Sequence, residues 1–270
     1  MVIRQQGAPG QGRTERMGRM AKETANCVGR YIYAVIAGRD ERTYGTLGID
    51  GGTVYNLSDG HIQAVVSDIV STRIRPERRN LAAHQQVITL LMEETTPLPM
   101  RFGIIADSPG AVRKILSCNR RAFLQQLANV AGKVEMGLRV TWDVPNITEY
   151  FVRTHPELRA ARDRFLGCRE PRQEDKIELG RTFERILMED REAYAEAVEE
   201  VLGGCCAAIK RNSPRNEREV LNLACLVSRE ETAEFESAIF KAANLFDNNF
   251  AFDYNGPWAP HNFVQIDLKY

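Results

Sequence analysis

Asn249-Phe250-Ala251-Phe252-Asp253-Tyr254-Asn255-Gly256-Pro257-Trp258-Ala259-Pro260-His261-Asn262-Phe263 lies close to the end of this 270-residue chain. Phe250, Phe252 and Tyr254 recur at a period of two, so they share one face of a strand over Asn249–Tyr254. Gly256 permits backbone angles that a side chain would forbid, and Pro257 and Pro260 fix φ on either side of Trp258. A rigid aromatic ending of this kind is expected to plug the core behind its strand, with Phe263 continuing inward. On that reading, truncating Trp258 to Ala costs roughly 3–5 kcal/mol.

Working back from that strand, a complete unit can be traced to Gly132, a residue suited to ending a helix. Lys133–Asp143 alternates, with Val134, Met136, Leu138 and Val140 on one face of a half-buried strand. Pro145 breaks it, and Asn146 with Glu149 forms a capping pair for a short helix. Pro156 and Pro171 punctuate the helical region that follows. A long helix to Leu202 has Glu174 and Asp175 in its first turn, where they suit the helix dipole. Phe183, Leu187, Tyr194, Val198 and Val201 form its apolar stripe. Ala207–Asn212 and Glu219–Ser228 read as strands joined at Ser213-Pro214. Ser228 and Glu231 have capping-box spacing before a helix that turns Phe235, Ala238, Ile239, Ala242 and Phe246 to one side. Strand, helices, strand, strand, helix, strand is the βαββαβ order of a ferredoxin-like sandwich with an expanded first helical crossover. That fold hosts many activities and selects none.

A different pattern precedes Gly132. Tyr31–Ala37 is rich in β-branched and aromatic residues, as strands are. Gly48–Asp59 and His61–Ser67 read as a hairpin around Ser58-Asp59-Gly60. Pro76 and Glu77 suit the first turn of a helix in which Leu81, His84, Ile88 and Leu91 share a face, making His84 a buried, hydrogen-bonded histidine. Leu98–Ala106 reads as a strand with Met100 and Phe102 on one side and Arg101 on the other. A buried Arg101 would require a carboxylate, so a salt bridge between units or a partner contact is expected there. Asp107-Ser108-Pro109 caps the next helix, and a further helix spans about Arg120–Ala131. The expected class is α+β in two domains, a mixed α/β unit over 30–131 and a ferredoxin-like unit over 132–270. Residues 1–29, rich in Gly, Gln and Arg, read as a disordered basic tail.

Composition removes several function classes. Lys plus Arg and Asp plus Glu both number 36, so the chain lacks the basic footprint of a general nucleic-acid binder. No apolar run approaches the roughly 18 residues of a membrane span, and no signal-peptide core is visible. Cysteines 27, 118, 168, 205, 206 and 225 show neither a zinc spacing nor a disulfide framework, which suggests reduced thiols in a cytoplasm. The four histidines are scattered, and no nucleophile-elbow, phosphate-loop or metalloprotease motif occurs. Gly48-Ile49-Asp50-Gly51-Gly52 has no following helix pattern to present phosphate-binding amides and reads as a hairpin loop. No metal, cofactor or catalytic residue is expected.

The closing GPW-x-P-x-x-F segment has a companion in Leu98-Pro99-Met100-Arg101-Phe102-Gly103. Together with Tyr31-Ile32-Tyr33 and Gly132-Lys133-Val134-Glu135, these motifs stand in the order found in the gas vesicle accessory family GvpF/GvpL. The chain resembles that family from about Tyr31 to Phe263, its GvpF members most. Ala259 replaces a frequent second proline of the family, and His261 a frequent tyrosine. The resemblance implies a non-catalytic accessory or minor structural protein of the cytoplasm and the gas vesicle. It also implies binding to the small hydrophobic shell protein of GvpA type, with other accessory proteins as further partners. Met100, Arg101, Phe102, Gly103, Gly256, Pro257, Trp258, Pro260 and Phe263 are its candidate partner-binding or structural residues. The Trp258 segment and the charged helix over 171–202 are the candidate surfaces. A competing expectation is a small-molecule or catalytic pocket between the two units, built on Arg101, His84 and Trp258.

Overall fold

The computed structural model describes residues 29–166 and 172–269. The basic tail expected over 1–29 lies outside the described residues except for Gly29, which already belongs to a strand. The chain divides into two compact units. One runs up to Asn129 and takes in the segment from Ile266 onward; the other is Val130–Gln265. The final residues therefore return to the first unit rather than closing the second.

In the first unit, β1 (Gly29–Ala37), β2 (Thr43–Gly45), β3 (Val54–Ser58), β4 (Ile62–Ile69), β5 (Leu98–Pro99) and β6 (Ile105–Ala106) form one sheet. Its order is β2-β3-β4-β1-β5, with β6 also on β1, and every pair is antiparallel. Seven of the nine β1 residues are buried, which explains the apolar run that led to a strand reading. A bulge between Ile32 and Ala34 re-registers it against β4. The hairpin forms, but Gly48–Gly52 makes a 3-10 turn ahead of the shorter β3. A Cβ on Gly48 would sit 2.7 Å from the Tyr33 hydroxyl, so this turn packs too closely for any larger residue.

Helix α1 (Arg78–Met92) starts after Pro76 and buries His84, Val87, Ile88 and Leu91. Leu81, expected on that face, is exposed; the buried stripe passes through Asn80 instead. Helix α2 (Pro109–Val130) is continuous where two helices were expected. Its first turn is held by Ala111 N–H donating to Ser108 Oγ at 3.1 Å. The strand expected over Leu98–Ala106 is broken into β5 and β6, because Met100–Ile104 arches between them through Gly103 at φ +92°.

The second unit follows its expected succession: β7 (Lys133–Trp142), α3 (Ile147–Thr154), α4 (Pro156–Leu166), α5 (Gln173–Leu202), β8 (Ala208–Arg211), β9 (Glu219–Ser228), α6 (Thr232–Ala243) and β10 (Phe250–Trp258). Taken in chain order the four strands lie 4-1-3-2, all neighbours antiparallel. Val134, Met136, Leu138, Val140 and Trp142 are buried at period two along β7, with Leu221, Leu223, Cys225 and Val227 beside them on β9. Gly132 takes the left-handed φ of +69° that turns the chain into β7. Asn146 caps α3 as expected, accepting Glu149 N–H at 3.0 Å. The Ser228–Glu231 capping box is not formed; a 3-10 turn over Arg229–Glu231 leads into α6 instead. Phe246 falls beyond the end of α6 rather than on it.

Candidate functional site

The Leu98–Gly103 motif is built against β1. Leu98 pairs with Val35 and Pro99 with Ala34, Met100 N–H donates to Tyr33 O at 2.9 Å, and Ile32 N–H donates to Ile104 O at 3.0 Å. Between these anchors the arch presents Gly103 N–H to the Tyr31 hydroxyl at 3.1 Å. The same hydroxyl is hydrogen-bonded to His84 Nδ1 at 3.0 Å. The Tyr33 hydroxyl accepts Ile49 N–H at 2.8 Å and meets Ser67 Oγ at 2.7 Å. Phe102 packs edge-on against Tyr31 and His84, with centroids 5.9 and 5.7 Å away. Burial pushes both tyrosine pKa values up from 10.

His84 is therefore a structural histidine of the core, as its helical position suggested, and it is held by a protein hydroxyl rather than presented to solvent. Met100 is buried. Arg101 stands exposed on the arch, outside any strand, so it needs no buried carboxylate. The motif fastens the arch to β1, and Arg101 and Gly103 are its solvent-facing parts.

The closing motif extends β10 further than expected. Pairing with β7 runs from Phe250–Trp142 to Asn255–Gly137, slips at a bulge over Gly256-Pro257, and resumes at Trp258–Glu135. Gly256 has φ +132°, and a Cβ there would meet Met136 Sδ at 2.7 Å and Glu135 O at 3.0 Å. Gly137 is required for a similar reason: a Cβ would sit 2.8 Å from Asn255 Oδ1. That oxygen is needed elsewhere, since it accepts Trp258 Nε1–H at 2.8 Å. Trp258 thus folds back over the bulge and remains 41% exposed, contrary to the expected core plug. The buried residues of the segment are its neighbours Ala259 and Pro260, while Phe263 is only half-buried.

Beyond them, the Glu135 carboxylate accepts Asn262 N–H at 2.7 Å and Asn262 Nδ2–H at 2.6 Å, and Lys210 Nζ donates to Asn262 O at 3.2 Å. Glu135 faces away from the Val134–Trp142 stripe, so the tail crosses the other face of the sheet from β7 toward β8. Sequence reasoning quoted Glu135 within a motif but missed this role. A carboxylate at an outward strand position, buried at 7% exposure, is revealed only by what lies over it.

Glu219 and the Cys205-Cys206 pair are also committed to structure. Glu219, fully buried, is paired with Arg139 at 3.1 Å and accepts Asn222 Nδ2–H at 3.1 Å. A hydrogen bond with Cys225, then burial, raises the Cys206 thiol pKa, and burial pushes Cys205 up to about 11, the reverse of a primed nucleophile. Among the described residues no group of three or more His, Cys, Asp or Glu could hold a metal ion, and no helix is long and apolar enough to cross a membrane.

The family model of the gas vesicle synthesis proteins GvpL/GvpF matches residues 29–265. The chain belongs to this family. Gas vesicle protein F of Dolichospermum flosaquae is 24% identical over 240 residues, covering 88% of this chain and 98% of that one. A Streptomyces protein F is 28% identical over 209 residues, covering 77% and 87% respectively. A Streptomyces gas vesicle protein L is 26% identical over 262 residues, covering 88% of this chain and 93% of that one. In fold, the crystal structure of GvpF from Anabaena sp. PCC7120 superposes with a TM-score of 0.79 over 89% of this chain and 99% of that one, at 24% identity. This GvpL/GvpF-family chain thus has a gas-vesicle-related role, and all four quoted motifs lie within the matched span.

Proposed function

We infer that the protein is a non-catalytic accessory or minor structural protein of the gas vesicle, required for assembly and binding the hydrophobic shell protein of GvpA type. It acts in the cytoplasm and at the vesicle. The observation that carries this reading is the match of the GvpL/GvpF family model across residues 29–265, with relatives named as gas vesicle proteins F and L covered almost end to end. Two features of the chain agree with it. The buried titratable residues His84, Tyr31, Glu135 and Glu219 are satisfied by protein partners. Apolar side chains of α6 and the edge of its sheet remain exposed, as a binder of apolar clients requires.

The test is genetic and biochemical together. Deleting the gene from a vesicle-forming host should abolish vesicles and complementation should restore them, and the tagged protein should co-purify with the shell subunit. Normal vesicle yield without the gene would overturn the reading.

A further inference from the structure

Strand β10 ends its sheet, with β7 on one side and no strand among the described residues on the other. The bond from Asp143 N–H to Asn249 O, together with the register from Phe250–Trp142 to Asn255–Gly137, fixes which backbone groups face inward. Hydrogen-bonded pairs alternate in an antiparallel ladder, so Ala251, Asp253 and Asn255 bond to β7. Phe250, Phe252 and Tyr254 turn their N–H and C=O groups outward. Natural sheets usually blunt such an edge. Here the Gly256-Pro257 bulge blunts only its far end.

An aromatic groove runs beside that edge. Phe246 touches Phe250 and Phe252 at centroid distances of 4.9 and 5.0 Å, and Tyr194 closes the base against Phe246 at 5.0 Å. Phe240 on α6 is 59% exposed above it. An open pocket of about 480 Å³ is lined by Phe240, Asn244, Phe246, Asp247, Phe250 and Phe252. Its surroundings are acidic. Asp247 lines it and Glu236 accepts the Tyr254 hydroxyl, both on the aromatic side of the strand, whereas Asp253 points to the opposite face beside Arg139, 4.0 Å away. Against these carboxylates α6 contributes a single base, Lys241.

We propose that the free edge of β10 is a docking site for an extended segment of another protein, which carries apolar residues and lysine or arginine together on one face. The segment adds antiparallel to Phe250–Tyr254 and satisfies the outward N–H and C=O groups. On that face it seats its apolar side chains beside Phe240 and Phe246 and sets its cations against Asp247 and Glu236. A helix would leave the edge groups unpaired. A second copy of this chain would bring a second set of the same carboxylates to the seam, so charge favours a basic partner.

The test uses the full chain and a fluorescein-labelled heptapeptide with lysine, valine, phenylalanine and lysine at its odd positions and threonine between them. Binding should weaken about tenfold or more when Phe240→Glu is introduced, when the peptide lysines become glutamates, or when the peptide amides that pair with the edge are N-methylated. Phe240 is exposed, so its variant keeps the fold, to be verified by circular dichroism. In the unaltered protein, bound peptide should slow amide exchange at Phe252 and Tyr254, while Ala251 and Asp253, already paired to β7, stay as they were. Three results would overturn the proposal: no binding, equal binding of the N-methylated peptide, or peptide-free self-association that Phe240→Glu abolishes. The edge is probed without the shell protein, so failure here leaves the gas vesicle reading standing, and failure of the gene deletion leaves the edge site standing.

Discussion

Trp258 and Trp142 separate two meanings of a tryptophan in a sequence. Trp142 is 1% exposed and packs edge-on against Phe151 at 5.1 Å, so Trp142→Ala should cost about 3–5 kcal/mol. Trp258→Ala removes one hydrogen bond to Asn255 and a partly exposed ring, and should cost about 1 kcal/mol. Urea titration of both variants checks the pair; equal losses would return Trp258 to the core. The bracketing prolines made Trp258 look locked inward, because local rigidity is visible in sequence and the direction of a side chain at a bulge is not. His84 was legible for the opposite reason: helical spacing alone placed it on a buried face. Its partner Tyr31 carries a second prediction. Burial raises the folded-state pKa of Tyr31 above its unfolded value of 10, so the folded state holds its proton longer. Stability should therefore be complete below pH 10 and fall above it, by up to about 1.4 kcal/mol per pH unit for this one group. Tyr31→Phe should flatten that alkaline slope while lowering stability at pH 7 by about 1–3 kcal/mol, because Gly103 N–H and His84 Nδ1 lose their shared partner. Melting temperatures measured from pH 7 to 11 read both effects.

At the scale of the element, strand β10 shows how much a local rule captures. Period two located its first half and also β7, whose stripe from Val134 to Val140 is buried as read. The strand was expected to end at Tyr254, ahead of Gly256-Pro257. Yet a bulge lets pairing resume at Trp258, because the missing Cβ admits Met136 Sδ and Glu135 O into its space. Gly256→Ala should therefore cost about 1–3 kcal/mol through the forced φ and the 2.7 Å approach. The loss should appear as faster amide exchange near Trp258 and Asn262, with α3 unaffected. The converse error occurred at Leu98–Ala106, where continuous apolar character suggested one strand. The tertiary demand of Tyr31 for Gly103 N–H bends that segment into an arch, and no periodicity encodes such a demand. Helix caps fall between these cases. Asn146 caps as read, whereas Ser228, with capping-box spacing, does not, because a 3-10 turn takes up its position.

For the whole molecule, the order of elements in the second unit could be read because each strand and helix carries its own period. The ownership of the last residues could not. Ile266–Lys269 return to the first unit, where Lys269 N–H donates to Asn119 Oδ1 at 2.9 Å and Asn119 Nδ2–H donates to Lys269 O at 2.9 Å. Asn119 lies on α2 and is buried. Its amide also donates to Ile115 O at 2.8 Å, so the tail completes a site that the helix only half satisfies. This is backbone pairing with one side chain across 150 positions, and composition near the terminus carries no trace of it. Deleting residues 266–270 should leave Asn119 Oδ1 without its donor and lower stability by about 1–2 kcal/mol. Asn119→Ala in the full chain should reproduce most of that loss, since it removes the same pair from the other side. Hydrogen exchange resolves where the loss falls. Faster exchange along Pro109–Val130, with Lys133–Trp142 unchanged, is the expected pattern. Loosening of Lys133–Trp142 with α2 intact would instead assign the tail to the second unit, and would make the Asn119 pair incidental to holding it.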